Sequence, residues 1–395
     1  APGMRFSAPV YFDDEVNMFL AEGVKLKDRD LKVMADWQVP YVVTDGHLLD
    51  NGESVPENRA LEDISGNETG IPPDVTVSPA PEELLVIPAV SSNSALYRRY
   101  VALIEDIGVF FSNIHEGIPL SAADVDMAAV ETAALIAEDR VEMMGFLLGG
   151  NISGNEYAKS SVNTAVLSVV IAERLGYVHR RVMKLITGAL LHDIGMMCIP
   201  DSIRNKEGQL SDDEMKLMKT HPLQGYRITV NQLTYSAEIG HIVLQHHERW
   251  NGKGYPDGRE GKQIDMGARI VSVADAFEAM VSRKAWRDSI LGYHAMKNLL
   301  NDNSRRFDPD VLKAFIQGVG IYPIGSMVLL NNGAVCRVIE SNYETPLRPR
   351  LQILVGGDES TYPGAAGPFL DLMENKSLFI TRVLDPKEFE GHNGG

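Results

Sequence analysis

Six side chains in the middle of this sequence are suited to holding divalent cations: His192, Asp193, His221, His246, His247 and Asp275. Imidazole nitrogens and carboxylate oxygens are the donors such ions prefer, and a carboxylate beside a histidine can bridge two ions while the imidazole binds one. An adjacent His-Asp pair is too common to mean much alone. Its setting says more. His192 and Asp193 close the apolar helical run LITGALLHDIG, so both emerge at a helix terminus beside a glycine turn. His246 and His247 end a second helical pattern, EIGHIVLQHHERW, just before a glycine-rich loop. Polar groups at such ends can face a cavity, and cations gathered there suit chemistry on anionic groups such as phosphate.

Positioning these residues requires helices. From Asn155 to about Val319 the pattern stays helical, broken by glycine turns at Asp193 to Gly195 and Asn251 to Pro256, which predicts an all-α domain. Two helical patterns precede it, Asn93 to about His115 and Ser121 to about Leu148, expected to pack a core or form a dimer. Residues 5 to about 64 mix short apolar runs with turn signals, including a helical spacing from Leu26 to Trp37 and a strand near Val39 to Val43. The stretch SGNETGIPPDVTVSPAP, from Ser65 to Pro81, has the composition of a linker. After Tyr322 the character changes to alternating strands at Met327 to Leu330, Ala334 to Ile339 and Leu351 to Val355, with a hairpin turn at Asn332-Gly333 and a polar tail from about Glu388. The expected architecture is therefore mainly α: a small N-terminal α+β domain with linker (1–80), connecting helices (81–150), a helical bundle (151–322) and a C-terminal β-rich extension (323–395).

The chain has 395 residues, too many for one ordinary core. Its net charge of −17 argues against wrapping duplex nucleic acid, which depends on Lys and Arg neutralising phosphates. An anionic substrate must instead be attracted by metal ions and a few local cations. No stretch approaches the roughly 18 apolar residues of a membrane span, and the start has no basic region followed by an apolar run. Two distant cysteines, Cys198 and Cys336, give no disulfide framework, which fits a cytoplasmic protein.

The run from His246 to Pro256, HHERWNGKGYP, resembles the signature of the HD-GYP phosphohydrolases almost letter for letter. The segments His192 to Gly195, Ile199 to Asp201, His221-Pro222, Ala268 to Asp275 and Tyr322 to Ser326 agree with that family in order. The resemblance implies an HD-type helical bundle holding two or three ions, Fe or Mn, that hydrolyses cyclic di-GMP to pGpG or GMP by attack of a metal-activated hydroxide. Carried over by position, His192 and Asp275 would bind one metal, His221, His246 and His247 another, and Asp193, the central catalytic group, would bridge them. Gly254 and Tyr255 would line the substrate side, and Lys284 and Arg287 would contact phosphate.

Two positions depart from the family pattern. The usual first histidine is Ser160 here, and the lysine expected after His-Asp-x-Gly is Met196. Glu156, four residues before Ser160 and on the same helical face, matches a metal-binding glutamate of three-ion relatives. A neutral hydroxyl replaces imidazole poorly. A missing positioned cation costs on the order of a hundredfold in rate. A degenerate member that binds cyclic di-GMP or a protein partner without efficient turnover is therefore the alternative. A homodimer through the helices before 150 is expected with either. His115, His179, His241 and His294 lie outside the signature and read as structural or surface residues.

Overall fold

The computed structural model describes short segments between residues 4 and 49, then 94–149, 155–206, 208–282, 292–301 and 306–384 apart from 343 and parts of 358–366. The linker over 65–81, most of the helix expected over 26–37 and the tail from Glu388 lie outside the described residues. Among the described N-terminal segments, strands β1 (Val10–Phe12), β2 (Met18–Leu20) and β3 (Val42–Val43) pair antiparallel in the order β2-β1-β3.

The bundle is organised around one helix. Asn155 caps α4 (Glu156–Arg174) by accepting from the amides of Tyr157 and Ala158 at 3.0 and 3.2 Å, a contact worth about 1 kcal/mol. Almost every residue of α4 from Ala158 to Ala172 is buried, because neighbours surround it on all sides. They are α1 (Ala95–His115), α5 (His179–Leu191), α10 (Met266–Val281) and α12 (Pro309–Val319). Between α1 and α4 run α2 (Ala122–Glu138) and α3 (Arg140–Gly149). The short helices α6 (Asp201–Arg204) and α7 (Asp212–Met218), then α8 (His221–Arg227) and α9 (Ala237–Gln245), follow α5. α11 (Gly292–Asn301) lies against α10.

The single helix expected from Ser121 to Leu148 is two. Asp139 is extended and its carboxylate accepts from the Glu142 amide at 2.9 Å, so it ends α2 and starts α3. A short acidic side chain competing for backbone donors leaves no mark on apolar periodicity. Ser121 does occupy the N-cap of α2, without a side-chain cap bond.

Tyr100 and Phe111 of α1, Leu135 of α2 and Phe146 of α3 share one continuous core with Leu167 of α4, Phe277 of α10 and Phe315 of α12. The helices before residue 150 are thus a wall of the bundle. The same core continues into Val328, Leu351 and Ile380 of a five-stranded antiparallel sheet. Its strands are β4 (Met327–Leu330), β5 (Val335–Glu340), β6 (Arg350–Val355), β7 (Phe369–Asp371) and β8 (Ile380–Leu384), in the order β7-β6-β5-β4-β8. The hairpin turn falls at Asn332-Gly333, where Gly333 has φ 83° and the Asn332 side chain accepts from the Ala334 amide. Two strands were not expected: β7, only three residues long, and β8, which pairs with β4 across some fifty positions.

Candidate metal centre

Three helix ends deliver three imidazoles. His192 is the C-cap of α5, His221 begins α8, and His246 is the C-cap of α9. In each ring Nδ1 donates to a carbonyl three residues earlier: Ala189 at 2.7 Å, Met218 at 2.8 Å and Val243 at 2.7 Å. Fixing the proton on Nδ1 leaves Nε2 as the free donor and sets the ring's direction. The Nε2 atoms of His221 and His246 lie 3.4 Å apart.

Asp193 stands between them. Its Oδ1 is 3.3 Å from Nε2 of His221 and 3.6 Å from Nε2 of His246, and its Oδ2 is 3.5 Å from Nε2 of His192. Asp275, from the middle of α10, brings Oδ1 to 3.7 Å from the same His192 nitrogen. One donor atom from each of Asp193, His221, His246 and His247 lies within 4.8 Å of the others. The two oxygens of Asp193 therefore face two different groups of donors, the disposition of a bridging carboxylate.

Asp193 can occupy this place because the 3₁₀ turn Ile194–Cys198 that follows lies directly on α8. A methyl placed on Gly195 would be 1.9 Å from the His221 carbonyl oxygen and 2.6 Å from the Gly225 nitrogen. Only glycine allows that approach.

The charges are arranged for cations. Burial works against a charged His192, but the Asp193 and Asp275 carboxylates outweigh it and raise its pKa to about 9. Burial would likewise raise Asp193, yet His192, His221 and His246 hold it well below the usual carboxylate range, and Asp275 is lowered to about 2, chiefly by His192. His246 and His247 are pushed down, by burial first, which keeps them in the neutral form that donates a lone pair. Nε2 of His192 is buried with no hydrogen-bond partner. A buried, inward-facing nitrogen among carboxylates with no hydrogen-bond partner is placed to donate its lone pair to a cation, so these residues fit a metal centre.

The loop after α9 closes one side. Tyr255 packs its ring 4.8 Å from His247 and 6.3 Å from His221. The room at Gly254 is taken by the loop's own backbone, since a methyl there would meet the Arg249 nitrogen at 2.4 Å. Glu248, which sequence reasoning did not single out, pins the loop by accepting from the amides of Asp257 and Arg259 at 2.8 and 3.1 Å.

Glu156 is exposed in the first turn of α4 and is not among the four mutually close donors. Lys284 and Arg287 lie outside the described residues. Met196 is buried in the core. His241 stacks on Tyr226, His115 faces Asp201 at the surface, and His179 and His294 are exposed. Ser160 is buried and donates to Oε2 of Glu278 at 2.7 Å. The other Glu278 oxygen accepts from Asn163 and Ser282, and Asn163 in turn accepts from the Tyr100 hydroxyl. The clue in the sequence is a second acid three residues after Asp275 in the apolar run VSVADAFEAMV. Ser160→Ala should thus behave as a structural change. We expect a loss of about 1–3 kcal/mol in chemical denaturation, because a buried carboxylate loses a donor, with ions per chain unchanged by elemental analysis. Loss of an ion in this variant would instead make Ser160 a ligand.

Residues 126–311 match the family model described as an HD domain, and residues 327–392 match a KOW domain associated with HD domains. The chain is 36% identical over 193 residues to a cyclic di-GMP phosphodiesterase of Pseudomonas aeruginosa, covering 49% of this chain and 46% of that protein. It is 27% identical over 239 residues to the cyclic di-GMP phosphodiesterase PdeB of Borreliella burgdorferi, covering 60% of this chain and 62% of that protein. The cyclic di-GMP phosphodiesterase response regulator RpfG of Xanthomonas campestris is 39% identical over 150 residues, 38% of this chain and 40% of its own length. The chain thus spans about half the length of the curated relatives it matches.

Proposed function

We propose, from the HD domain that this chain carries, that it is a metal-dependent phosphodiesterase that opens cyclic di-GMP to pGpG or GMP. The observation that carries this reading is the convergence of His192, Asp193, His221, His246 and Asp275 with each of the three imidazoles turned inward by its own backbone bond. His192 and Asp275 would hold one cation, His221, His246 and His247 a second, and Asp193 would touch both. Divalent ions bound there would lower the pKa of water and neutralise charge on a phosphate. Four imidazoles with two carboxylates make a mixed N/O donor set compatible with Fe or Mn. Their number, two or three, turns on whether Glu156 joins.

The protein's own groups complete the site. Burial, followed by the charges of Asp193 and Asp275, raises the Tyr255 hydroxyl above its ordinary range, so it stays protonated and able to donate to a substrate oxygen. Pairing of two chains through α1 and α2 would leave Val109, Met127 and Val130, all exposed on these helices, available to the seam. The chain loaded with Fe(II) or Mn(II) should convert cyclic di-GMP to pGpG or GMP, read by chromatography. Intact cyclic di-GMP after long incubation with fully loaded protein would sink the reading. Ser160, committed to Glu278, and Met196, buried, favour a second one in which cyclic di-GMP is bound without efficient turnover. Saturable binding with no product would select it.

A further inference from the structure

The cation absent at Met196 has a counterpart in the short helix that follows its turn. Arg204, the last residue of α6, folds back so that Nη1 donates to the Met196 carbonyl at 3.3 Å and lies 3.3 Å from Sδ of Met197. Its guanidinium carbon is 5.9 Å from the ring centroid of Tyr157, in the first turn of α4. Met196 in turn donates its amide to the Asp193 carbonyl at 2.9 Å. Arg204 is therefore fastened to the short turn that presents Asp193, and its side chain is only 11% exposed.

Two features make this more than a packing contact. Nε of Arg204 is enclosed and has no hydrogen-bond partner, and a buried N–H of a charged group without an acceptor calls for one. The Nη2 partner, Asp201, is half exposed, so solvent screens that pair and it contributes little. Tyr157 links this corner to the centre. Its hydroxyl is pushed up to about 12 by burial and then by the Asp193 carboxylate, with the Arg204 cation opposing, so it lies in the field of both.

We infer that Arg204 and Tyr157 form an anion-binding subsite beside Asp193 that takes a phosphate group of the substrate, Arg204 supplying the positive charge that Met196 lacks. A guanidinium suits the task because it keeps its charge when buried and offers several donors in one plane. That the anion belongs to a cyclic dinucleotide rests on the proposed function; that an anion binds here does not.

The test uses the full chain loaded with Mn(II), as wild type, Arg204→Met, Arg204→Lys and Tyr157→Phe. Calorimetric titration with inorganic phosphate and the KM for cyclic di-GMP are measured beside ions per chain and melting temperature. Arg204→Met should weaken phosphate binding by about tenfold and raise KM similarly. Arg204→Lys should recover part of the loss, and the metal content should stay at the wild-type level. Phosphate binding unchanged in Arg204→Met overturns the subsite, as does a loss of binding that merely tracks loss of metal. If Arg204→Met does not fold, Arg204→Lys decides: folded and fully metallated with weaker phosphate binding, it upholds the subsite, and with wild-type binding it overturns it. If phosphate binding depends on Arg204 while cyclic di-GMP is left intact, the subsite stands and the phosphodiesterase reading falls.

Discussion

Asp193→Ala should abolish turnover, lowering kcat by on the order of a thousandfold or more. The expectation follows from placement: its two oxygens face His221 and His246 on one side and His192 on the other, each between 3.3 and 3.6 Å. On the proposed reading, removing it would take a shared ligand from both groups of donors at once and leave any cations held there repelling each other across the gap. Ions per chain should fall together with kcat. A second readout needs no metal. With the nearer carboxylate gone, the proton on His192 loses a main electrostatic support, so its pKa should drop from about 9, as followed by imidazole resonances in a titration of the metal-free protein. Full metal content and a rate within tenfold of wild type would remove Asp193 from the centre.

The second large effect is steric. Gly195→Ala should destabilise the fold by about 3 kcal/mol or more and empty the centre, although the change adds one methyl group. Backbone atoms block that methyl, with the His221 oxygen at 1.9 Å and the Gly225 nitrogen at 2.6 Å, and a backbone inside a packed helix cannot rotate away as a side chain can. Relief requires moving the turn that carries Asp193 away from α8, which carries His221. Gly145→Ala is the control. No atom lies within 4 Å of a methyl at that position, which is inside α3, so it should be neutral or gain up to about 1 kcal/mol of helix propensity. Thermal melts with elemental analysis compare the two, and a fully metallated Gly195→Ala of wild-type stability would contradict the close approach.

The candidate metal donors were legible because their types are uncommon in helix-ending, apolar contexts and their order is long. Six of them meet in space as their order suggested. The fold class was legible for the same reason that helices and strands differ in period, and three C-terminal strands fall within a residue or so of where alternation places them. What escaped were features that exist only after folding. Ser160 and Glu278 are 118 positions apart, and neither residue alone announces that one donates to the other. Arg204 reads as an ordinary surface cation at the end of a four-residue helix until its contact with the Met196 carbonyl is seen. The strand β8 is recognisable mainly through its partner β4, and the break at Asp139 depends on a side chain outbidding an apolar pattern.

The backbone bonds of His192, His221 and His246 have a further consequence. Each imidazole is leashed to the last turn of a helix, α5 for His192, α7 for His221 and α9 for His246, so unwinding that one turn would carry the donor away with it. Fraying and vacancy become a single equilibrium. A cation seated among the three rings would hold shut the ends of α5, α7 and α9 that otherwise open first, and would slow exchange of their amide hydrogens with solvent deep into the bundle.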